Sequence, residues 1–340
     1  MKISHKLAPL GVAIAMLVGS TAAFAQDDAA IADLVAAAKA EGGLMIYSGA
    51  NTEQLQRYAD GFKSEYGIDV QIQRLTGAQT SQRFATETAA GVHLADIVGT
   101  SESSYYDDNT DWFVDMSQAH LPNYDKWPDD AKSKYRTVIT RGVLGLIYNT
   151  DMVSKDEAPK DWKDVIDPKW KGKIILADTQ SSVNWGGWLK VMHDSFGDDY
   201  IKSLAGQDFQ IVASAQTGAQ QVAAGAKPLN FPSASSFALS LKSEGAPIEY
   251  AFMAEPTVTN RFNFGAVAAA PHPNAARLFM NWLLSDPGIT ATCTDNEVMS
   301  PGDPEGKLGC MAKPTGNVVE IADGLDDAEM TKLFDMLGVK

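Results

Sequence analysis

From residue 44 to residue 98 the chain alternates between strand-like and helix-like periods, and this alternation limits the folds open to it more than any other feature. Residues 44–47 (LMIY) are a short apolar run. After the loop 48–50 (SGA), Asn51 with Gln54 three positions on reads as a capping box. Leu55, Tyr58, Ala59, Phe62 and Tyr66 then share one helical face, which Gly67 ends. Ile68, Val70 and Ile72 alternate as a strand, residues 80–90 read as a helix, and residues 94–98 (LADIV) read as a third strand. A βαβαβ order predicts a largely parallel sheet covered on both faces. Ligands of such sheets bind beyond the carboxyl ends of the strands. Here those ends are residues 48–51 and 100–102, where hydroxyl side chains precede helix starts whose N–H groups can receive an anion. A single Ser or Thr there can equally be only a cap; two such loops at one sheet edge favour binding.

A helix over residues 28–41, with Ile31, Leu34, Val35 and Ala38 on one face, precedes this unit, and a second α/β unit begins near Asn149. Its first strand, residues 174–177 (IILA), runs through DTQSS (178–182) into a helix carrying Trp185, Trp188, Leu189 and Met192. Strands at 209–212, 228–231 and 247–252, with helices over 217–224 and 236–244, continue the alternation.

Residues 1–25 combine Lys2 and Lys6, an apolar stretch over 10–18 and AFA at 23–25, which predicts an export leader cleaved after Ala25. The apolar stretch is shorter than the roughly 20 residues a membrane span needs. In an oxidising compartment Cys293 and Cys310, the two cysteines of the chain, read as one disulfide clipping a Gly/Pro-rich loop. With 28 Lys+Arg against 43 Asp+Glu the formal charge is −15, which excludes nucleic acid as a default partner. At roughly 150 residues per domain, 340 residues predict two.

Motifs of chemistry are absent: there is no GxSxG, HExxH, P-loop, GxGxxG or EF-hand pattern. No catalytic residue, metal site or cofactor is therefore assigned. His93, His120, His193 and His272 are dispersed and read as structural or surface residues. The tandem Tyr105 and Tyr106 offer oxygen donors that would suit a ferric ion, but the expectation is that one ring packs and the other is exposed. Arg141 interrupts the apolar strand 139–149 (ITRGVLGLIYN). It is either a fork for a carboxylate or phosphate at the mouth between the two units, or the structural partner of an acidic residue on a neighbouring strand.

The leader, residues 44–48 (LMIYS), 94–98 (LADIV), 145–149 (GLIYN), 162–173 (WKDVIDPKWKGK), 245–247 (GAP) and 270–279 (APHPNAARLF) together resemble an extracellular solute-binding protein of an ABC importer, of the ferric-binding-protein-like group. The resemblance implies an α/β, two-lobed periplasmic-binding-protein type II fold, each lobe a mainly parallel sheet flanked by helices, with a hinge between the lobes. The expected divisions are 26–140 plus about 260–340 for the first lobe and 141–259 for the second. A small-molecule ligand would be trapped in the interlobe cleft of a periplasmic monomer and handed to the permease of the importer, with no covalent chemistry. Ferric members of the group carry tandem tyrosines shortly before Gly-Ala-Pro, where this chain has Ser236 and Phe237, and some carry a His in the first loop, which here reads SGAN (48–51). These departures point to an organic, anionic ligand, with ferric ion as the alternative and a secreted hydrolase as a lesser one. The expected ligand-binding residues are Ser48, Asn51, Thr100, Ser101, Arg141, Tyr148, Ser181, Ser182, Trp185 and Ser236.

Overall fold

The computed structural model describes residues 19–294, 298–322 and 325–339, and within it the βαβαβ order is present. Helix α1 (Gly19–Glu41) leads into β1 (Leu44–Ser48), α2 (Thr52–Tyr66), β2 (Val70–Arg74), α3 (Gly77–Ala89) and β3 (Ile97–Thr100). The expected leader lies outside the described residues as far as residue 18. Asn51 caps α2 by accepting from the N–H groups of Glu53 and Gln54 at 2.9 and 3.1 Å, and Gly67 closes the helix at φ 73°. The reciprocal half of the expected capping box is not made, because the Gln54 side chain donates instead to the Thr292 carbonyl at 3.0 Å. A complete capping box forms at the next helix, between Thr76 and Gln79, and it starts α3 earlier than the residue-80 start read from the sequence.

After the short helices α4 (Ser104–Asp107) and α5 (Pro122–Lys126) comes β4 (Thr137–Asn149). The second unit follows as β5 (Ile174–Ala177), α6 (Val183–Phe196), α7 (Asp198–Ala205), β6 (Gln210–Val212), α8 (Ala215–Ala223), β7 (Leu229–Ala234), α9 (Ser235–Ser243) and β8 (Ile248–Phe252). The chain then forms β9 (Thr257–Ala266), α10 (Pro273–Leu283), α11 (Asp286–Thr292), β10 (Val318–Glu320) and α12 (Asp327–Leu337). The strand order is β2-β1-β3-β9-β4-β7-β5-β6, with β8 beside β4 and β10 beside β9. The outer triplets β2-β1-β3 and β7-β5-β6 are parallel, while β9 and β4 run antiparallel to their neighbours in that order. The first half of β4 pairs with β9 and the second half with β7 and β8, so this one apolar strand belongs to both halves of the protein.

Two large clusters of buried side chains lie on either side of this crossing. The first includes Ile46, Tyr58, Phe62, Phe264, Phe279 and Trp282; the second includes Leu146, Trp162, Trp188, Leu189 and Phe231. In the second, the Trp188 and Phe231 rings meet edge to face at 5.2 Å, a geometry worth about 0.5–1.5 kcal/mol beyond burial. The chain end departs from the expected division. Although the sequence reading placed residues beyond about 260 with the first unit, Met330, Leu333 and Leu337 of α12 repeat at helical spacing and bury in the second core, against α6 and α7.

Two motifs of the resemblance meet in space. Asp96 is fully buried and its carboxylate accepts from the Met45 N–H at 2.7 Å, the His272 N–H at 2.7 Å and His272 Nδ1 at 2.9 Å, tying β1 and the loop before β3 to the start of α10. Tyr106 is also fully buried, its hydroxyl donating to the Val98 carbonyl. Tyr105 is half-buried, so neither ring is the exposed one expected: its hydroxyl donates to the Ser81 carbonyl at 2.9 Å and its ring packs on Trp112 and Phe113. Cys293 and Cys310 form a disulfide.

Candidate functional site

Side chains alternate across a strand, and this puts Thr140, Gly142 and Leu144 of β4, with Asn260 and Phe262 of β9, on the floor of a cleft between the two cores. Gly142 leaves room there for the Asn260 side chain, whose Oδ1 would stand 2.6 Å from an added Cβ and would have to move. The cleft encloses about 90 Å³. Its first wall is the strand-end loop 49–51, Gln54, Arg74, Thr76 and Ser101, the edge predicted by the parallel-sheet rule. The second wall carries Ser181, Ser182, Trp185, Ser214, Ser236 and Phe237.

Five helices begin at this cleft. Asn51, Thr76, Ser182 and Ser214 each cap one of them by accepting from a first-turn N–H: α2, α3, α6 and α8 respectively. The fifth, α9, begins after Ala234 with no side-chain cap. Their N-terminal dipole ends converge on the cleft and favour negative charge. Arg74 is the one charged side chain among the described residues that line it. Its Nε donates to the Ala50 carbonyl at 3.4 Å, and burial disfavours its charged form, with the nearby Glu53 acting in the opposite direction. The lining contains no carboxylate, imidazole, thiol or phenol among the described residues.

The two walls also touch directly. Asn51 Nδ2 donates to the Ser236 carbonyl at 3.2 Å, Ala78 N–H to the Ser181 carbonyl at 3.2 Å and Gln216 Nε2 to Thr52 Oγ1 at 3.1 Å, while the hydroxyls of Ser101 and Ser182 lie 3.4 Å apart.

Of the ten residues singled out from the sequence, Asn51, Ser101, Ser181, Ser182, Trp185 and Ser236 line the cleft. Thr100 lines a small recess beside it, with Ser101, Gly77 and Ser182. Ser48 is fully buried beneath the first loop, where its Oγ accepts from the Ala50 N–H at 3.2 Å, and it shapes the loop without lining the cleft. Tyr148 lies near the far end of β4, buried in the second core. Arg141 points to the other face of β4, where it pairs with Glu320 at 2.8 Å and Asp130 at 3.5 Å; of its two readings the structural partner is the one realised. The sequence reading passed over Arg74, Asn260 and Phe237. Arg74 was within reach of it, because it lies two positions past Ile72 in the alternating strand, at the same sheet edge as Ser48 and Thr100.

Among the described residues one His/acid cluster has metal-like spacing: His193, Asp194 and Glu329, remote from the cleft. Lys190 Nζ already sits within it, 2.8 Å from Asp194 and 3.0 Å from Glu329, which makes it an ion-pair network.

Two α/β halves joined through shared central strands, with a polar cleft where their strand ends face each other, define a type II periplasmic binding protein. The profile of the bacterial extracellular solute-binding proteins matches residues 48–289, and the chain belongs to that family, the substrate-binding components of ABC transporters. Among solved structures, the substrate-binding protein of an ABC transporter from Agrobacterium tumefaciens superposes with a TM-score of 0.77 at 17% identity, over 87% of this chain and 93% of that one. The periplasmic binding protein AfuA from Actinobacillus pleuropneumoniae, solved with fructose-6-phosphate bound, superposes with a TM-score of 0.64 at 20% identity, over 88% and 99%. The Fe(3+)-binding periplasmic protein of Serratia marcescens is 22% identical over 275 residues, 76% of this chain and 79% of the relative. Among the described residues, no helix is long and apolar enough to cross a membrane.

Proposed function

We propose that this protein captures a small organic molecule bearing one anionic group, closes its two halves on it about β4 and β9, and delivers it to the permease of an ABC importer. The observation that carries this reading is Arg74, a cation facing the cleft with no carboxylate among the described lining residues, Glu53 lying near it outside the lining. The converging helix N-termini add to its field, and Trp185, Phe237 and Phe262 offer apolar surface to the body of the ligand. The protein acts as an exported periplasmic monomer, with its leader removed after Ala25, and as a binder rather than a catalyst. Ferric ion fits the lining poorly, because a hard cation seeks carboxylate or phenolate oxygens and would meet a guanidinium instead.

Mass spectrometry of the ligand released by denaturation, followed by calorimetry of that ligand on wild type and Arg74→Gln, tests the proposal. A neutral or cationic ligand, or one bound equally by both proteins, refutes it.

A further inference from the structure

The cleft holds five helix starts, and their differences locate the anion. The first N–H groups of a helix have no acceptor within it. In α2, α3, α6 and α8 a side chain at the cap accepts from that turn. In α9, nine residues long, the cap position is Ala234, whose methyl lines the cleft and can accept nothing.

A second, separate observation lies in the same turn. Ser236 is nine-tenths buried and lines the cleft, yet its hydroxyl makes no hydrogen bond to the described residues, which engage its carbonyl through Asn51. Thr140 on the floor is also more than nine-tenths buried with an unpartnered hydroxyl. Neither hydroxyl oxygen is sealed from the cleft, so both are left to bond what enters it. Arg74 belongs to the opposite wall, and the Asn51 contact draws that wall onto the first turn of α9.

Resting on the anion reading above, we infer that the charged group of the ligand is a tetrahedral oxyanion, phosphoryl or sulfonyl, seated at the first turn of α9 on Ser236 and covered from the other wall by Arg74. The donors gathered there are the N–H groups of Ser236 and Phe237, two hydroxyls and a guanidinium. That set surrounds a group with three terminal oxygens better than a planar carboxylate with two. One anion then bonds both walls at once, which couples its capture to closure.

The test uses four probes that share a propyl chain, n-propyl phosphate, 1-propanesulfonate, butyrate and 1-propanol, titrated calorimetrically into wild type, Ser236→Ala, Ala234→Asp and Arg74→Gln, with melting midpoints for each protein. Propyl phosphate or propanesulfonate should bind at least tenfold more tightly than butyrate, and the stronger of the two identifies the phosphoryl or sulfonyl source. Ser236→Ala should weaken that probe about tenfold. Ala234→Asp supplies the missing cap carboxylate, so it should keep or raise the melting midpoint while abolishing oxyanion binding, a combination that mere structural damage does not produce. Should Ala234→Asp fail to fold, Ser236→Ala decides. Equal or tighter binding of butyrate, silence toward both oxyanions, or oxyanion binding unchanged in Ser236→Ala and in folded Ala234→Asp overturns the inference. The anion reading fails separately, through 1-propanol binding as well as the anions, or through Arg74→Gln binding the oxyanion as tightly as wild type.

Discussion

Arg141 and Glu320 form an ion pair, 2.8 Å from Nε to the carboxylate, on the face of β4 turned away from the cleft. Thr140 and Gly142, one position to either side, line the cleft, so the pair sits directly behind the cleft without entering it. Glu320 also accepts from Arg261 of β9, and it ends β10, the segment that carries the chain on to α12 in the second core. The pair thus fastens the last segment of the chain to both shared strands. Removing one partner of a partly buried ion pair leaves the other less well solvated than in water. Arg141→Ala should therefore lose about 1–2 kcal/mol of unfolding free energy and leave ligand affinity within twofold. Denaturant melts alongside calorimetry check this, and a large affinity loss in a stable variant would return Arg141 to the site.

Arg74→Gln should show the opposite division. A charge-assisted, partly desolvated contact contributes about 1.5–3 kcal/mol, roughly tenfold to a hundredfold in affinity. The residue makes one long hydrogen bond to the Ala50 carbonyl and is held against burial, so the melting midpoint should stay level or rise slightly. Lys in its place should recover part of the affinity, because the charge returns without the planar fork.

The parallel triplets were legible because their strands and helices are local and strongly periodic: Leu55, Tyr58 and Phe62 on one face, and IILA before the Ser182 cap. β9 was not read, although Val258, Phe262 and Phe264 alternate with Thr259, Arg261 and Asn263. Its place beside β4 depends on pairing across more than 100 residues, which no local period encodes. The same limit explains Arg141. A strand shows which residues share a face, and only the return of β10 shows which face meets an acid. The strand-end loops were recovered because the sheet rule is topological, and Arg74 falls under that rule even though the reading followed hydroxyls alone.

The disulfide ties the end of α11 to residue 310, a sequence separation of 17. Closing a loop of that length stabilises by about 3 kcal/mol in the chain-entropy account. Thiol titration of denatured, unreduced protein should find no free thiol, and a Cys293→Ser/Cys310→Ser double variant should unfold about 3 kcal/mol more easily while still binding ligand, since neither cysteine lines the cleft.

Acid should weaken the fold through exposed carboxylates. Hydrogen bonds from Ser117, Ser154 and His193 hold Asp115, Glu157 and Asp198 below the usual carboxylate range. A group whose pKa is depressed on folding contributes stability that is fully present above its unfolded value and is lost as pH falls through its folded one. The melting midpoint should therefore be level above about pH 5 and decline below about pH 4. Asp198→Asn should shallow that decline, and an unchanged slope would assign it to other groups.

Closure is the last point open to measurement. Asn51 to Ser236, Gln216 to Thr52, Ala78 to Ser181 and Ser101 to Ser182 join the walls through protein groups alone. Part of the free energy of the closed form is then intrinsic, and a ligand only has to supply the remainder through its preference for that form. Gln216 is partly buried and does not line the cleft, so Gln216→Ala removes one contact between the walls and touches nothing expected to hold ligand. One neutral hydrogen bond contributes about 0.5–1.5 kcal/mol, so the closed fraction of unliganded protein, relative to the open, should fall roughly two- to tenfold. Scattering should record a larger radius of gyration for the unliganded variant, and saturating ligand should restore the wild-type value. Affinity should weaken by no more than the same factor, because the variant changes the conformational equilibrium and not the contacts. An unliganded radius equal to that of wild type, with affinity also unchanged, would mean that this contact has no part in closure.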